Sequence, residues 1–223
     1  MPVERSARDD LELQQGDQRG GVSLMQPGKK ARRDMALLTV CLMVAMPVAA
    51  ALAQAVVTTE NMVSQLADLE TTAELDAAVL RQQASDRVKS KVDAVALKRP
   101  PVAAQLRKLP HLNLDIQFNP DSPVIRPDSY RMLGRIADAF ADPRMLPYGF
   151  LIVGHTESTG KREYNLTLSQ RRADSIRDVL VTTFKISPKR IQAVGLGEEQ
   201  LLDPEHPKAP VNQQIQIVTA RKL

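Results

Sequence analysis

The residues best suited to chemistry are a carboxylate in a polar loop and a guanidinium in the helix predicted after it. Glu157 lies in a loop bracketed by two glycines, and Arg172 lies about two turns into the next predicted helix. A carboxylate accepts hydrogen bonds from an ammonium group, and a planar guanidinium binds a carboxylate in fork geometry. If both face one cleft, they suit a zwitterionic ligand, and Thr156 and Asn165 could add neutral hydrogen bonds. Solvation or local ion pairing is the alternative role, and the residues alone leave both open.

The sequence offers little for catalysis or for metal binding. Its histidines are His111, His155 and His206, and His155 lies two positions from Glu157 without a third ligand at useful spacing. No nucleophile elbow, P-loop or dinucleotide fingerprint is present. The single Cys41 cannot form an internal disulfide, and a thiolate zinc site needs more ligands of this kind. We therefore predict a binding protein that is not an enzyme and that uses no metal and no cofactor.

The composition indicates a folded chain with a nearly even charge balance. Of 223 residues, 43% are hydrophobic, which is enough for a core. Lysine and arginine number 30 against 26 aspartates and glutamates, which leaves a net charge of +4. Because this excess is small, it does not indicate a basic stripe, and we predict no nucleic-acid partner.

The periodicity of the second half predicts the elements that would position the loop and its helix. Strict apolar alternation over 112–118 predicts a strand with one buried face. A helix should begin near Pro127 and end near Asp142, with Tyr130 on its apolar face. The continuous apolar run 150–153 predicts a strand buried on both faces, near the middle of a sheet.

The loop is followed by a long predicted helix and then by two short strands. The helix should cover 164–184, and the strands 191–195 and 211–218. The order β-α-β-α-β-β predicts an α+β fold, a two-layer sandwich with the helices on one face of the sheet.

The segment before this domain is predicted to be helical. Between residues 60 and 98 apolar residues recur at roughly helical spacing in an alanine-rich stripe: Met62, Leu66, Leu69, Leu75, Ala78 and Val79. We predict a helical spacer over 54–99, a proline-rich linker over 100–111 that begins at Pro100 and Pro101, and the domain over 112–223. An alternative role for 60–98 is binding of an envelope protein partner or self-association.

The N-terminal region resembles an export signal. A basic cluster precedes the uncharged run 35–59, and the small residues of 51–53 suit cleavage before Gln54. We therefore assign 1–53 to an extension and a signal peptide. The first 24 residues are unlike a signal's basic start, so Met25 is a second candidate start. From this signal we predict that the protein is exported and lies in the periplasm or at the outer membrane. The alternative is an uncleaved inner-membrane anchor over 36–57 that also leaves the domain periplasmic.

Several separated motifs resemble the OmpA-like peptidoglycan-binding domain. The runs GHTESTG over 154–160 and YNLTLSQRRA over 164–173 are similar to the family's G-H-T-D-x-x-G and Y-N-x-x-L-S-x-x-R-A. Phe118-Asn119 resembles the F-[ND] of its first strand, and VGLGE over 194–198 resembles its G-x-G-E turn. The resemblance extends over about 112–218.

This resemblance implies non-covalent binding of the peptidoglycan stem peptide through diaminopimelate, whose side-chain end carries an ammonium and a carboxylate. By position, Glu157 replaces the family's aspartate that contacts this diamino acid, and Arg172 matches the arginine that binds its carboxylate. The other residues that match the cleft or its rim are Phe118, Asn119, Thr156, Asn165 and Leu168. For Phe118, a place in the core is the alternative.

Two departures from the family pattern bear on affinity. Glu157 is one methylene longer than aspartate, and Gln213 and Gln214 stand where the family usually has two arginines. Gln214 could donate hydrogen bonds at the site, but without charge they would be about half as strong. The sequence therefore predicts an envelope-anchoring or envelope-spacing peptidoglycan binder. The alternative is a membrane-anchored scaffold or interaction protein with a degenerate site, stator-like in layout but without a membrane carboxylate for ion conduction.

Overall fold

The computed structural model describes residues 58–67, 75–90 and 99–223, all within one compact unit. The predicted extension, signal peptide and alternative start therefore lie outside the described residues. The helices are α1 (Thr59–Leu66), α2 (Ala77–Ser90), α3 (Tyr130–Ala141) and α4 (Arg162–Thr182). The strands are β1 (His111–Leu114), β2 (Tyr148–His155), β3 (Ile191–Gly197) and β4 (Ile215–Lys222).

The four strands form one mixed sheet in the order β1-β4-β2-β3. β4 pairs antiparallel with both β1 and β2, while β2 and β3 run parallel. The α+β class and the β-α-β-α-β-β order are confirmed, and β2 is an interior strand, as its continuous apolar run predicted.

Two strand boundaries and one helix position differ from the predictions. β1 ends at Leu114, opposite Ile215, where its partner β4 begins, and Phe118 pairs only with Ile125 through an isolated bridge. β4 begins at Ile215, since a short 3-10 helix, Pro210–Asn212, occupies the start of the predicted strand. Tyr130, expected on the apolar face of α3, is 42% exposed.

The larger part of the core lies on the sheet face covered by α1, α3 and α4. Met62, Val63 and Leu66 of α1 are buried there. Phe140 of α3 stacks on Phe150 of β2, with ring centroids 3.8 Å apart. These contacts place α1, which precedes the predicted domain, in the same core as the domain.

The opposite face of the sheet is covered by α2 and by residues 99–109. Leu80 and Ala84 of α2 and Leu106 pack on alternate residues of the strands, among them Leu151 and Val153 of β2. The sequence predicted helices on one face only, with a spacer and a linker ahead of them. The described parts of both segments instead pack on the sheet, because the interior strands are apolar on both faces.

Close packing of α4 on the sheet depends on two glycines. A Cβ atom on Gly154 would lie 2.3 Å from the carbonyl oxygen of Ser169, and one on Gly195 would lie 2.1 Å from the backbone nitrogen of Gln170. The Gln170 side chain also accepts a hydrogen bond from the Gly195 N–H (2.8 Å). These contacts fix α4, and therefore the site residues that it carries, relative to β2 and β3.

Candidate functional site

An open cleft of about 470 Å³ lies between the N-terminal half of α4, the loop after β2 and the turn after β1. Six of the eight residues predicted for the site line it: Phe118, Thr156, Glu157, Asn165, Leu168 and Arg172. Seven further residues complete the lining: Pro120, Asp121, Arg126, Thr159, Gly160, Tyr164 and Gln213.

Arg172 is the most unusual side chain of the cleft. It is only 4% exposed, and its guanidinium lies over the Phe118 ring, 4.9 Å from the centroid. Its Nε donates to the Ser122 carbonyl (3.2 Å), whereas its buried Nη1 has no hydrogen-bond acceptor within the described residues. Burial lowers the pKa of Arg172, and the nearby Asp121, Tyr164 and Glu157 act in the opposite direction. Nη1 of Arg172 can therefore donate a hydrogen bond to a further acceptor, and an anionic one suits its charge.

Two carboxylates bring negative charge to the same cleft. Glu157 is half-buried, and its Oε1 accepts a long hydrogen bond from the Thr159 hydroxyl (3.4 Å). Asp121 is exposed in the turn after β1, where its φ of 50° is left-handed. With Arg126 as a second guanidinium in the lining, the cleft combines both signs of charge. Such a lining suits a ligand that carries an ammonium and a carboxylate.

The turn after β1 forms one wall of the cleft. Asn119 shapes it, because its N–H donates to the Val124 carbonyl (2.9 Å) and its carbonyl accepts from the Ser122 N–H (3.1 Å). Asn119 does not itself line the cleft, unlike the prediction. Tyr164 of α4 reaches across and donates its hydroxyl to the Asp121 carbonyl (3.3 Å). Phe118 combines both predicted roles, since it packs against the core and supports the Arg172 guanidinium.

Asn165 holds the loop between β2 and α4 in place; this loop, 156–161, is called the ligand loop below. Its Nδ2 donates to the carbonyls of Thr159 (2.8 Å) and Glu157 (3.3 Å) and to Oε2 of Glu198 (2.7 Å). The sequence suggested a direct hydrogen bond from Asn165 to the ligand, but these three acceptors engage the Nδ2 group. Thr156 is different, because it lines the cleft and its buried Oγ1 has no hydrogen-bond partner in the part of the chain described.

Gln213 lines the cleft, and Gln214 does not. β4 alternates its side chains between the two faces of the sheet, and Gln216 pairs with Val153, which packs in the core opposite the cleft. Gln214 shares that parity. Of the two glutamines, Gln213 therefore lies at the cleft, and a hydrogen bond from Gln214 to a ligand stays a prediction.

The residues that sequence reasoning missed have few local signals. Asp121 stands in a turn-forming run with Pro120, and Tyr164 belongs to a quoted motif, so both could have been singled out. Nothing in the sequence around Arg126 indicates a place in the cleft.

Residues 58–67, 75–90 and 99–223 bear on two of the predicted features, a metal site and a membrane span. Within these ranges, no group of three or more histidine, cysteine, aspartate or glutamate side chains could hold a metal ion. No helix within them is long and apolar enough to cross a membrane. The apolar run predicted as a signal or anchor lies almost entirely outside them.

Known proteins are similar to part of this chain. An outer membrane porin F of Pseudomonas fluorescens is 40% identical over 100 residues, which are 45% of this chain and 28% of the porin. A peptidoglycan-associated lipoprotein of Rhizobium meliloti is 39% identical over 85 residues, which are 38% of this chain and 47% of the lipoprotein. The chain thus covers less than half the length of these curated relatives. The crystal structure of a peptidoglycan-associated lipoprotein from Burkholderia pseudomallei is 27% identical, with a TM-score of 0.39, and is covered to 85% by 46% of this chain.

A family model also matches part of this chain. The OmpA family model covers residues 117–214, which include every residue that lines the cleft. Helices α1 and α2 and residues 99–109 lie before this match. Residues 117–214 therefore form a domain of the OmpA family.

Proposed function

We propose that the cleft binds peptidoglycan non-covalently by holding the diaminopimelate of the stem peptide, and that the protein thereby anchors or spaces the cell envelope. The OmpA family domain and relatives named peptidoglycan-associated lipoprotein support the polymer as ligand. The relatives named outer membrane porin F support an envelope location, in the periplasm or at the outer membrane.

The observation that carries this proposal is the Arg172 guanidinium. Its Nη1 is buried without an acceptor among the described residues, while its ring contact with Phe118 fixes its orientation. Arginine stays charged at neutral pH even when burial lowers its pKa, because its ordinary value is far above 7. A buried donor without an acceptor costs free energy, and a ligand carboxylate would supply that acceptor.

The ammonium group of diaminopimelate requires a negatively charged partner in the cleft. In diaminopimelate the ammonium and the carboxylate share one carbon, so the two complementary protein groups must lie close together. Glu157 and Asp121 lie near enough to Arg172 to act on its pKa, and both line the cleft. We assign the ammonium to Glu157, with Asp121 as a second carboxylate on the facing wall.

The experiment is co-sedimentation of the full-length chain with purified diaminopimelate-type sacculi, compared with Arg172→Ala. A charge-assisted hydrogen bond contributes about 1.5–3 kcal/mol, so affinity should fall roughly 10- to 100-fold. Lysine-type sacculi lack the second carboxylate and should bind the unchanged chain weakly. Arg171→Ala is the matched control, because Arg171 is the exposed neighbour on the same helix and does not line the cleft. Equal binding by a folded Arg172→Ala chain would refute the site.

The two glutamines give this experiment a second arm. Gln213→Arg adds a cation at the cleft and should strengthen sacculus binding. Gln214→Arg should not, because Gln214 lies outside the lining and its Nε2 is buried. If no folded variant binds either type of sacculus, the domain is a scaffold with a degenerate site, and protein partners of the preceding helices become the function to test.

A further inference from the structure

A buried ionic cluster lies behind the ligand loop, outside the cleft. Arg99 donates from Nη2 to Oε1 of Glu198 and from Nη1 to Oε1 of Glu199, both at 2.7 Å. Arg162 donates to both oxygens of Glu199, at 2.9 and 2.8 Å. Arg99, Glu198 and Glu199 are 8%, 4% and 2% exposed. Burying charges this deeply is costly unless they are paired. The Nη atoms of Arg99 have carboxylate acceptors, whereas its buried Nε has none among the described residues.

Glu198 connects this cluster to the ligand loop. Its Oε1 also accepts from the Ser158 hydroxyl (2.9 Å), and its Oε2 accepts from Nδ2 of Asn165 (2.7 Å). Asn165 in turn holds the carbonyls of Glu157 and Thr159. One carboxylate therefore holds the loop directly at Ser158 and, through Asn165, at Thr159 and at Glu157 itself, the residue that we assign to the ligand ammonium.

Arg99 comes from a different part of the chain than the groups it organises. It precedes the family match at 117–214 and begins the segment 99–109 that covers the far face of the sheet. The same segment also contacts the loop after β3, which carries Glu198 and Glu199, at two further points. The Ala103 N–H donates to the Gln200 side chain (2.9 Å), and Arg107 donates to the Leu201 carbonyl (3.0 Å).

We propose that Arg99 is a positioning residue for the ligand loop, so that the segment 99–109 controls the cleft from outside the OmpA family domain. This inference rests on the proposed function, because the cleft that it controls is the peptidoglycan site. Glu198 and Glu199 are adjacent buried carboxylates that repel each other; Arg99 pairs with both, and Arg162 supplies the second positive charge at Glu199. When the segment leaves the sheet, Glu198 must recruit water or move, and Ser158 and Asn165 lose their common acceptor. The site then becomes looser and binds more weakly.

The first test is hydrogen exchange in the full-length chain, which needs no ligand. The Ser158 N–H donates to the Pro207 carbonyl (2.8 Å) and is a protected reporter of the loop. Arg99→Met should speed its exchange at least about tenfold, while the Ile152 amide in the middle of β2 stays protected. A merely structural role would instead speed both amides together.

Sacculus binding is the second readout. Arg99→Met should weaken binding to diaminopimelate-type sacculi roughly tenfold, which is within the usual range for coupled sites. Arg107→Met is the matched control. It removes an arginine of the same segment whose hydrogen bond goes to a backbone carbonyl, that of Leu201 in the loop after β3. Arg99→Lys keeps the charge but cannot contact both carboxylates in fork geometry, so its exchange rate and its affinity should lie between those of the unchanged chain and Arg99→Met. It also serves as the second variant if Arg99→Met does not fold.

The outcomes separate this inference from the function on which it rests. If the unchanged chain does not bind sacculi, the proposed function fails, and the Ser158 exchange rate still decides whether Arg99 positions the loop. If the unchanged chain binds but folded Arg99→Met and Arg99→Lys match it in both exchange and affinity, the positioning role is overturned.

Discussion

At the residue scale, Arg172 and His155 show two ways in which a buried titratable group is accommodated. Arg172 stays charged and faces a cleft where a ligand can reach it. His155 lies on the opposite side of the sheet from Thr156, and its Nδ1 contacts the Gln200 carbonyl at 3.0 Å. Burial lowers the pKa of His155 to about 4, mainly by desolvation, with Arg107 adding to the effect and Gln200 and Gln216 opposing it. His155 is thus neutral at physiological pH, and it holds the structure rather than a ligand.

The His155 pKa predicts that the fold weakens in mild acid. Between pH 6.5, the ordinary value, and about 4, the unfolded chain binds a proton at this residue that the folded chain excludes. The free energy of unfolding should therefore fall as the pH drops through this window, by up to about 3 kcal/mol in total. Urea unfolding of the full-length chain at several pH values measures this slope.

Two histidine variants assign the slope. His155→Asn should flatten the pH dependence between about 6.5 and 4. His206→Asn should retain this slope, because the His206 side chain is 72% exposed and its replacement leaves His155 buried. A slope that persists in His155→Asn would locate the acid sensitivity elsewhere.

Local motifs explain why much of the site was predictable. Glu157, Asn165, Leu168 and Arg172 stand in two continuous runs, so their spacing on a loop and a helix places them together. The buried cluster was not predictable in this way. Glu198 belongs to the turn motif over 194–198, but its partner Arg99 is 99 positions away in the chain. Hydrophobic periodicity does not predict so distant a contact.

At the element scale, the packing of α4 on the sheet sets the positions of the cleft residues that this helix carries. It carries Tyr164, Asn165, Leu168 and Arg172, and its backbone lies directly on β2 and β3 where Gly154 and Gly195 leave room. The order of elements and the central position of β2 followed from hydrophobic patterning. The close approach of α4 did not, because a glycine in a strand pattern also fits a bulge or a turn.

This close approach predicts a large effect of a single methyl group. Gly195→Ala places a Cβ 2.1 Å from the Gln170 nitrogen and 2.5 Å from its Cα, both backbone atoms that cannot rotate away. Overpacking of this kind costs about 1–3 kcal/mol or more, so the urea midpoint should fall markedly. Sacculus binding should fall as well, because Arg172 moves with α4.

The same substitution elsewhere provides the control. Gly134 lies within α3, and a Cβ there would lie 3.8 Å from the Phe184 ring, at ordinary contact distance. Gly134→Ala should therefore raise the free energy of unfolding by about 0.5–1 kcal/mol through helix propensity. Equal effects of the two substitutions would contradict the proposed packing of α4.

At the scale of the whole molecule, the chain before the OmpA family domain covers both faces of its sheet. α1 packs with α3 on one face, and α2 with residues 99–109 packs on the other. The sequence predicted a spacer and a linker because the apolar stripe is thin and alanine-rich. In α2 the buried residues are Ala77, Leu80, Ala84 and Val88, whereas Val79, which the stripe included, is 51% exposed. Small buried residues give a weak periodic signal, and the apolar faces that they cover belong to strands far along the chain.

If these helices belong to the fold, a core substitution in α1 should destabilise the entire molecule. Leu66 is fully buried, and its carbonyl accepts a hydrogen bond from the Thr219 hydroxyl of β4 (2.7 Å). Leu66→Ala should lower the free energy of unfolding by about 2–5 kcal/mol, with one cooperative transition, whereas a mobile spacer would show almost no effect. The exposed neighbour Gln65 provides the control, since Gln65→Ala should change stability by less than about 0.5 kcal/mol. Urea unfolding followed by circular dichroism and by β2 amide exchange distinguishes the cases. A Leu66→Ala chain whose sheet unfolds at the unchanged midpoint would mean that α1 is an independent appendage, and the OmpA family domain would then be stable without it.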